Sequence, residues 1–411
     1  MPPETHSTTT DQSSSPGTYV SEVESVAASS NGGTVVLGNS DGEPAPATEN
    51  ERRSGGRTSR VVATKLIHFV PAIFLFILAI QLMKAGASEL RPYLEGTFPF
   101  DNALSTLGLG WIGAYFVLSG SPVAAVSLAL FAAGALSRLQ TFTMLSGSRL
   151  GASFIVLLVG FLYSVKSKNK RESMGMGVLA LSLTAVVYVP GMFLGYGLLK
   201  TGLLSGVHWT ASSKVQGLIE LGWSWIVDPA KNHLPGGVLF PLGLAVILVS
   251  FKLLDRVLPQ IDHRAAEGKQ HWLRKPWPMF FLGCLAALLT LSVSVAITVL
   301  VPLAAKGYVD RKEAMPYIMG ANITTLADTL VAAMLLGKAD GVQVVLAEAI
   351  AVAIITVGYL LFIYPALQRG IMRLDEFVVA SNKRLVVFVT GLFVLPGILL
   401  VSGLFLGPIA R

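Results

Sequence analysis

The sequence predicts an all-α polytopic membrane protein made of two inverted repeats, each with a re-entrant helical hairpin, and about seven spanning helices besides the hairpins. Three observations predict it. Hydrophobic residues make up 53% of the 411 residues and charged residues 13%, where soluble domains carry about a quarter charged; mean hydropathy is +0.64. Seven stretches reach the ~20 apolar residues that a spanning helix needs. Two further apolar stretches are broken in the middle by short polar motifs.

Composition also excludes. The net charge of +7 comes from Lys and Arg gathered in short loops between apolar spans, where they set orientation, so no nucleic-acid partner is implied. Cys284 is the only cysteine, which removes intramolecular disulfides and thiol metal sites. No cofactor is expected.

The elements follow in order. Residues 1–60 form a Ser-, Thr-, Gly- and Pro-rich tail with too little apolar surface to offset the entropy of ordering, and disorder is expected there. It lacks a cleavable signal pattern, so the first span would act as an uncleaved anchor. The first repeat covers 61–200, an external loop 201–236, the second repeat 237–367 and an extra C-terminal span 368–411. The expected spans are 62–83, 141–165, 175–199, 237–255, 315–336, 342–367 and 386–407. The broken stretches are 104–137, interrupted by LSGSP at 118–122, and 277–307, interrupted by LSVS at 291–294. A break at membrane depth is tolerated only against protein or a wet cavity, which is why both read as hairpins. HWTASSKVQGLIELGWSWIVDP (208–229), with three Trp, reads as an external interfacial helix.

Loop charge fixes the layout. With both broken stretches treated as hairpins, the basic loops 166–171, 252–275 and 369–384 all fall on the side of the tail, which the positive-inside rule makes cytoplasmic. The protein is then a multi-pass protein of the cell membrane with a cytoplasmic N-terminus.

One shift aligns the halves. Ser119 with Ser292, Gly134 with Gly307 and Gly147 with Gly320 are each 173 residues apart, and nine of the thirty positions 118–147 are identical to 291–320. Because the first hairpin enters from outside and the second from the cytoplasm, the halves are inverted. Inverted repeats with discontinuous helices are the signature of a secondary transporter with its site near the bilayer midplane.

The polar residues inside this apolar frame are the candidate site. In MGANITTLADT (319–329), a helix interrupted at Gly320 and Ala321 and restarted near Asn322 would place Thr324, Thr325, Asp328 and Thr329 on one face. Hydroxyls and a carboxylate suit a hard cation such as sodium, and free amides at a half-helix start suit an anion. A carboxylate in a span marks an ion path or a buried pair, and its candidate base is Arg149. That arginine would bind an anionic substrate with its planar fork or pair with Asp328 as a built-in cation. Glu348 reads either as a proton relay or as a wet, structural residue near the outer surface. Ser119, Ser121, Ser292 and Ser294 offer oxygen ligands at the hairpin turns.

At these residues the chain resembles the sodium-dependent phosphate cotransporter family, whose repeats carry a Gln-Ser-Ser-Ser type hairpin and a Gly-Ala-Asn-Ile-Gly-Thr-Thr type segment. LSVSVAITVLVPLAAKG with PYIMGANITT is similar to the second-repeat pair at Ser292, Ser294, Gly320, Asn322 and Thr325. LSGSPVAAVSLALFAAG with MLSGSRLGAS is similar to the first-repeat pair at Ser119, Ser121, Gly147 and Gly151. The pattern departs at Leu118 and Leu291 for the glutamines, Gly120 and Val293 for serines, Arg149 for asparagine and Thr324 for glycine.

The resemblance implies an inverted-repeat symporter moving phosphate with sodium. The expected substrate contacts are Ser119, Ser121, Arg149, Ser292, Ser294, Asn322 and Thr325, with Thr324, Asp328 and Thr329 as cation ligands. Sodium is the coupling ion, and the remaining partners are a small inorganic anion and the lipid bilayer, with a homodimer left open. The alternative is a degenerate, non-transporting scaffold or sensor of the same fold, favoured by Arg149 standing in for a ligand. An enzyme is not expected, because none of the six histidines is set in a span beside a nucleophile.

Overall fold

The computed structural model describes residues 49–94, 102–166, 170–257, 275–290 and 292–406. The chain divides into two units, Met1–Thr58 and Ser59–Arg411, and all that follows concerns the second, apart from the start of its first helix. Among the described residues the structure is helical and seven helical segments are long and apolar enough to cross a membrane: His68–Leu94, Arg138–Val165, Arg171–Lys200, Gly236–Leu254, Arg311–Leu335, Ala339–Val379 and Asn382–Phe405. Each overlaps one of the expected spans.

Helix α1 (Glu49–Leu94) starts earlier than expected. Its first residues belong to the stretch read as disordered, and they are helical because lengthening an existing helix is far easier than nucleating one. The rest of that stretch, residues 1–48, lies outside the described residues.

Both broken stretches fold as a helix, a break and a second helix. The first is α2 (Ala103–Val117) and α3 (Gly120–Ala132), with Leu118 in the left-handed region at φ 56° and Ser119 extended. The second is α9 (Pro276–Thr290), then α10 (Val293–Thr298) and α11 (Leu300–Ala305), with Ser292 extended as the N-cap of α10. Between them lie α4 (Arg138–Ala152), α5 (Phe154–Lys166), α6 (Lys170–Lys200), α7 (Ser213–His233) and α8 (Gly236–Val257). After them come α12 (Arg311–Thr324), α13 (Ala327–Leu335), α14 (Ala339–Gly358), α15 (Tyr364–Val379), α16 (Asn382–Val401) and α17 (Gly403–Leu406). A π-helical segment, Tyr359–Ile363, joins α14 to α15 just ahead of Pro365, where the missing proline N–H interrupts the regular ladder.

Local chemistry recurs at a spacing of 173 residues. Gly134 (φ 80°) ends α3 and Gly307 (φ 76°) ends α11. In each case the next residue's N–H reaches back to a carbonyl five residues earlier, Ala135 to Leu130 and Tyr308 to Leu303, both at 2.9 Å; this is the Schellman stop that a left-handed glycine permits. The following helix opens with a capping box in both places, Ser137 with Gln140 and Asp310 with Glu313, each satisfying amides that the first turn leaves orphaned.

The same spacing governs packing. A Cβ on Gly110 would fall on the carbonyl of Met144, and one on Gly147 on the carbonyl of Leu107; Gly283 and Gly320 stand in the same relation to Tyr317 and Phe280. Thus α2 lies backbone to backbone on α4, and α9 on α12, because glycine alone lets main chains approach so closely.

The two halves interlock. One core cluster joins α1, α3, α4 and α8 to α13 and α14, through Ile80, Leu128, Leu145, Ile247, Leu326 and Val345. Another joins α5 and α6 to α9 through α12, through Val156, Leu179, Phe280, Val301 and Met315. The second limb of each broken stretch therefore packs on the opposite half of the chain. Helix α16 lies along α2, where Pro396 and Leu400 meet Gly108 and Tyr115 Oη donates to Leu392 O at 3.0 Å. The expected external helix is α7, whose Trp223 stacks on Phe74 at 5.0 Å between ring centroids.

Candidate functional site

The two breaks border one cavity. Its volume is about 680 Å³, and its lining includes Leu118 and Ser119 from the first break and Ser292 and Ser294 from the second. Ser119 precedes α3 without making a side-chain capping bond. Ser292 Oγ accepts from Val295 N–H at 3.3 Å, and Ser294 Oγ donates to Ala152 O at 3.5 Å. Ser121 is buried in the first turn of α3 and is not among the cavity-lining residues. A second cavity of about 700 Å³ lies between α1 and α7, lined by residues that include Lys84, Glu89, Glu220 and Lys231, and touches none of the predicted site residues.

Thr325, Asp328 and Thr329 form a separate, buried cluster around Arg149. Its guanidinium is 3% exposed, which rules out a side chain reaching for the membrane surface. One terminal nitrogen donates to Thr325 Oγ1 at 3.1 Å and the other to Thr329 Oγ1. The second also lies 3.6 Å from Asp328 Oδ1, an oxygen that accepts from Thr329 N–H at 2.6 Å and from Thr329 Oγ1 at 2.9 Å. Arg149 Nε and Asp328 Oδ2 are buried with no hydrogen-bond partner.

Four of the predicted positions sit differently from expectation. Helix α12 runs through Gly320 and Ala321 as far as Thr324, so the break falls at Thr325 and Leu326, several residues later than the glycine suggests. Gly320 is there for close packing on Phe280, not to end the helix. The later break turns Thr324 away from the other three: its hydroxyl donates to Cys284 O at 2.9 Å on α9, while Thr325, Asp328 and Thr329 face Arg149. Glu348 is 1% exposed, which overturns a wet position near the surface. Neither of its oxygens has a hydrogen-bond partner; Ser146, beside it, gives its proton to Phe142 O at 3.0 Å. Leu291 lies outside the described residues.

Asn322 belongs to neither group. Its Nδ2 donates to Thr184 Oγ1 at 3.2 Å, its carbonyl accepts from Tyr188 Oη at 2.9 Å, and Thr184 shares a 2.7 Å hydrogen bond with Ser153. Thr184 and Tyr188 were missed in the sequence, although their spacing of four on α6 puts them on one face. Lys252 and Thr298, both lining the cavity between the breaks, were missed as well. Lys252 stands at the end of an apolar span, where a lysine reads as an orientation signal, and Thr298 stands four residues after Ser294, a spacing that puts the two on one helix face.

Residues 246–380 match the model of the Na+/Pi-cotransporter family. The matched segment holds most of α8, the second broken stretch, the Asn322–Thr329 segment and Glu348; Arg149 and the first broken stretch lie before it. No curated protein and no solved structure matches the chain. Seven apolar helices together with this match make the chain a multi-pass membrane protein, in which residues 246–380 are similar to the Na+/Pi-cotransporter family.

Proposed function

We propose that the protein is a secondary active transporter that carries an inorganic anion, phosphate first among them, in symport with sodium. Two inverted repeats, each with a re-entrant hairpin, would expose the anion alternately to either side. The observation that carries this reading is the shared cavity: two breaks 173 residues apart in the sequence border one space, the arrangement expected where discontinuous helices meet at a midplane site. The recurrence of caps, glycine stops and glycine seams at that spacing supports the duplication, and the family match supports sodium and phosphate.

Within this reading the hairpin serines contact substrate or sodium. Of the two roles open to Arg149, its surroundings favour the built-in cation, because both terminal nitrogens are engaged by Thr325, Thr329 and Asp328 and it does not line the cavity. Sodium would reach Asp328 Oδ1 by displacing that guanidinium. The non-transporting alternative draws on the same fact, an arginine filling a cation pocket.

Uptake of radiolabelled phosphate into proteoliposomes, with and without an inward sodium gradient, separates the two. Gradient-dependent uptake is the expected result. Uptake of neither phosphate nor a related oxyanion under any gradient would refute transport. Accessibility is tested by Ser119→Cys and Ser292→Cys in a Cys284→Ala background, both of which should label from the aqueous phase. Position 120 is unsuitable, since a Cβ on Gly120 would lie 2.7 Å from Ser148 O.

A further inference from the structure

With Arg149 committed to Asp328, a transported anion lacks a positive partner among the residues so far assigned. A cavity lined only by hydroxyls and apolar side chains binds an oxyanion poorly, since hydrogen bonds to a charged group gain most when the donor is itself charged. Lys252 supplies the missing charge. It projects from α8 and, among the described residues, is the one Lys, Arg or His lining the cavity between the two breaks. Among the described residues no carboxylate lines that cavity to compete with an anion for the ammonium.

Two further groups in the same wall are unspent. Thr298 Oγ1 is buried with no hydrogen-bond partner, a costly state for a hydroxyl unless a ligand completes it. Ser119 makes no side-chain capping bond to α3, a helix of 13 residues whose N-terminus opens at the first break. An ammonium and two unspent hydroxyls on the wall of a cavity of about 680 Å³ can all donate to a ligand that only accepts.

We propose that Lys252, with Ser119 and Thr298, forms the binding site for a tetrahedral oxyanion of the phosphate type, and that Lys252 rather than Arg149 provides its charge. The proposal rests on the transport reading only for the identity of the cargo. A free phosphate ion and a phospholipid headgroup present the same chemistry, and we assign the site to the free ion.

The test is phosphate binding to the purified full-length protein in lipid-free detergent, read by calorimetry with equal-ionic-strength chloride as control. Lys252→Gln should weaken inorganic phosphate about tenfold or more, and Lys252→Arg should restore most of the affinity; Lys252 is solvent-exposed, so neither change disturbs the core. Thr298→Val should weaken binding several-fold. An unchanged dissociation constant in Lys252→Gln overturns the proposal, even if transport is intact. So does failure of the wild-type protein to bind phosphate in detergent. A third arm repeats the measurement in vesicles with and without anionic phospholipid. Phosphate binding that Lys252→Gln leaves intact, combined with loss of anionic-lipid association in that variant, assigns the lysine to a headgroup and overturns the free-ion site. Should phosphate bind through Lys252 while no gradient drives uptake, the site stands and the transport reading falls.

Discussion

Breaking the buried pair between Arg149 and Asp328 is the most informative single perturbation. At 3.6 Å, two unit charges in a medium of effective dielectric constant about 20 attract by roughly 4–5 kcal/mol. Removing one partner from a dry site costs about 3–5 kcal/mol, because the other charge is left uncompensated. Asp328→Asn and Arg149→Gln should therefore each destabilise the fold by about that much. The double variant removes both charges and should recover a large part of the loss, giving a coupling of about 2–4 kcal/mol by the same reasoning. Reversible unfolding in mixed micelles measures all four proteins of the cycle. Two effects that simply add, to within about 0.5 kcal/mol, would mean that the pair is not coupled. The cycle has a second readout. If the guanidinium fills a cation pocket, Arg149→Gln should gain a sodium-dependent rise in midpoint that the wild type lacks at this site, and the double variant should lose it again. A sodium response identical in Arg149→Gln and wild type would refute the built-in cation.

Three other expectations follow from the packing. Gly110→Ala and Gly283→Ala should each destabilise by about 1–3 kcal/mol, since in both a methyl group meets a main-chain carbonyl; midpoints in the same micelles check this, and a neutral result at either seam would show that the helices there are free to part. Leu118 sits at φ 56°, a conformation that asparagine tolerates and a β-branched residue does not. Leu118→Asn should stay within about 1 kcal/mol of wild type while Leu118→Val falls below it, and the reverse order would contradict the left-handed turn. Glu348→Gln should cost no more than about 1–3 kcal/mol, because neither carboxylate oxygen has a hydrogen bond to lose and what it gives up is the attraction of the Arg149 charge; a larger drop would reveal a partner that the carboxylate needs.

The spans were legible because a lipid-crossing helix announces itself by length and apolarity alone, and all seven expected segments have counterparts. The positions of the breaks at 118–119 and 292 were legible too, since Ser-Gly-Ser-Pro and Ser-Val-Ser interrupt otherwise uniform runs. The pairing of Arg149 with Asp328 was open to inference from charge: two buried ions in apolar surroundings seek each other. The break after Asn322 was misplaced for a physical reason. A glycine in a helix either ends it or lets another helix come close, and sequence does not distinguish the two; Gly320 does the second. The grouping of Lys252 and Thr298 with the hairpin serines was illegible, because it depends on the first break being brought from the other half to the cavity that α8 and α10 line.

The glycine seams have a consequence beyond stability. Where main chain rests on main chain, there is no neighbouring side chain to shave when something bulkier arrives, so a second-site change cannot readily repair a first. Each pair of helices joined in this way is held as one stiff plate, and the joints that lead out of the plates are at Ser153 and Leu326, where α4 gives way to α5 and α12 to α13. Engineers seeking to freeze or loosen this protein should work at those two hinges and leave the plates alone.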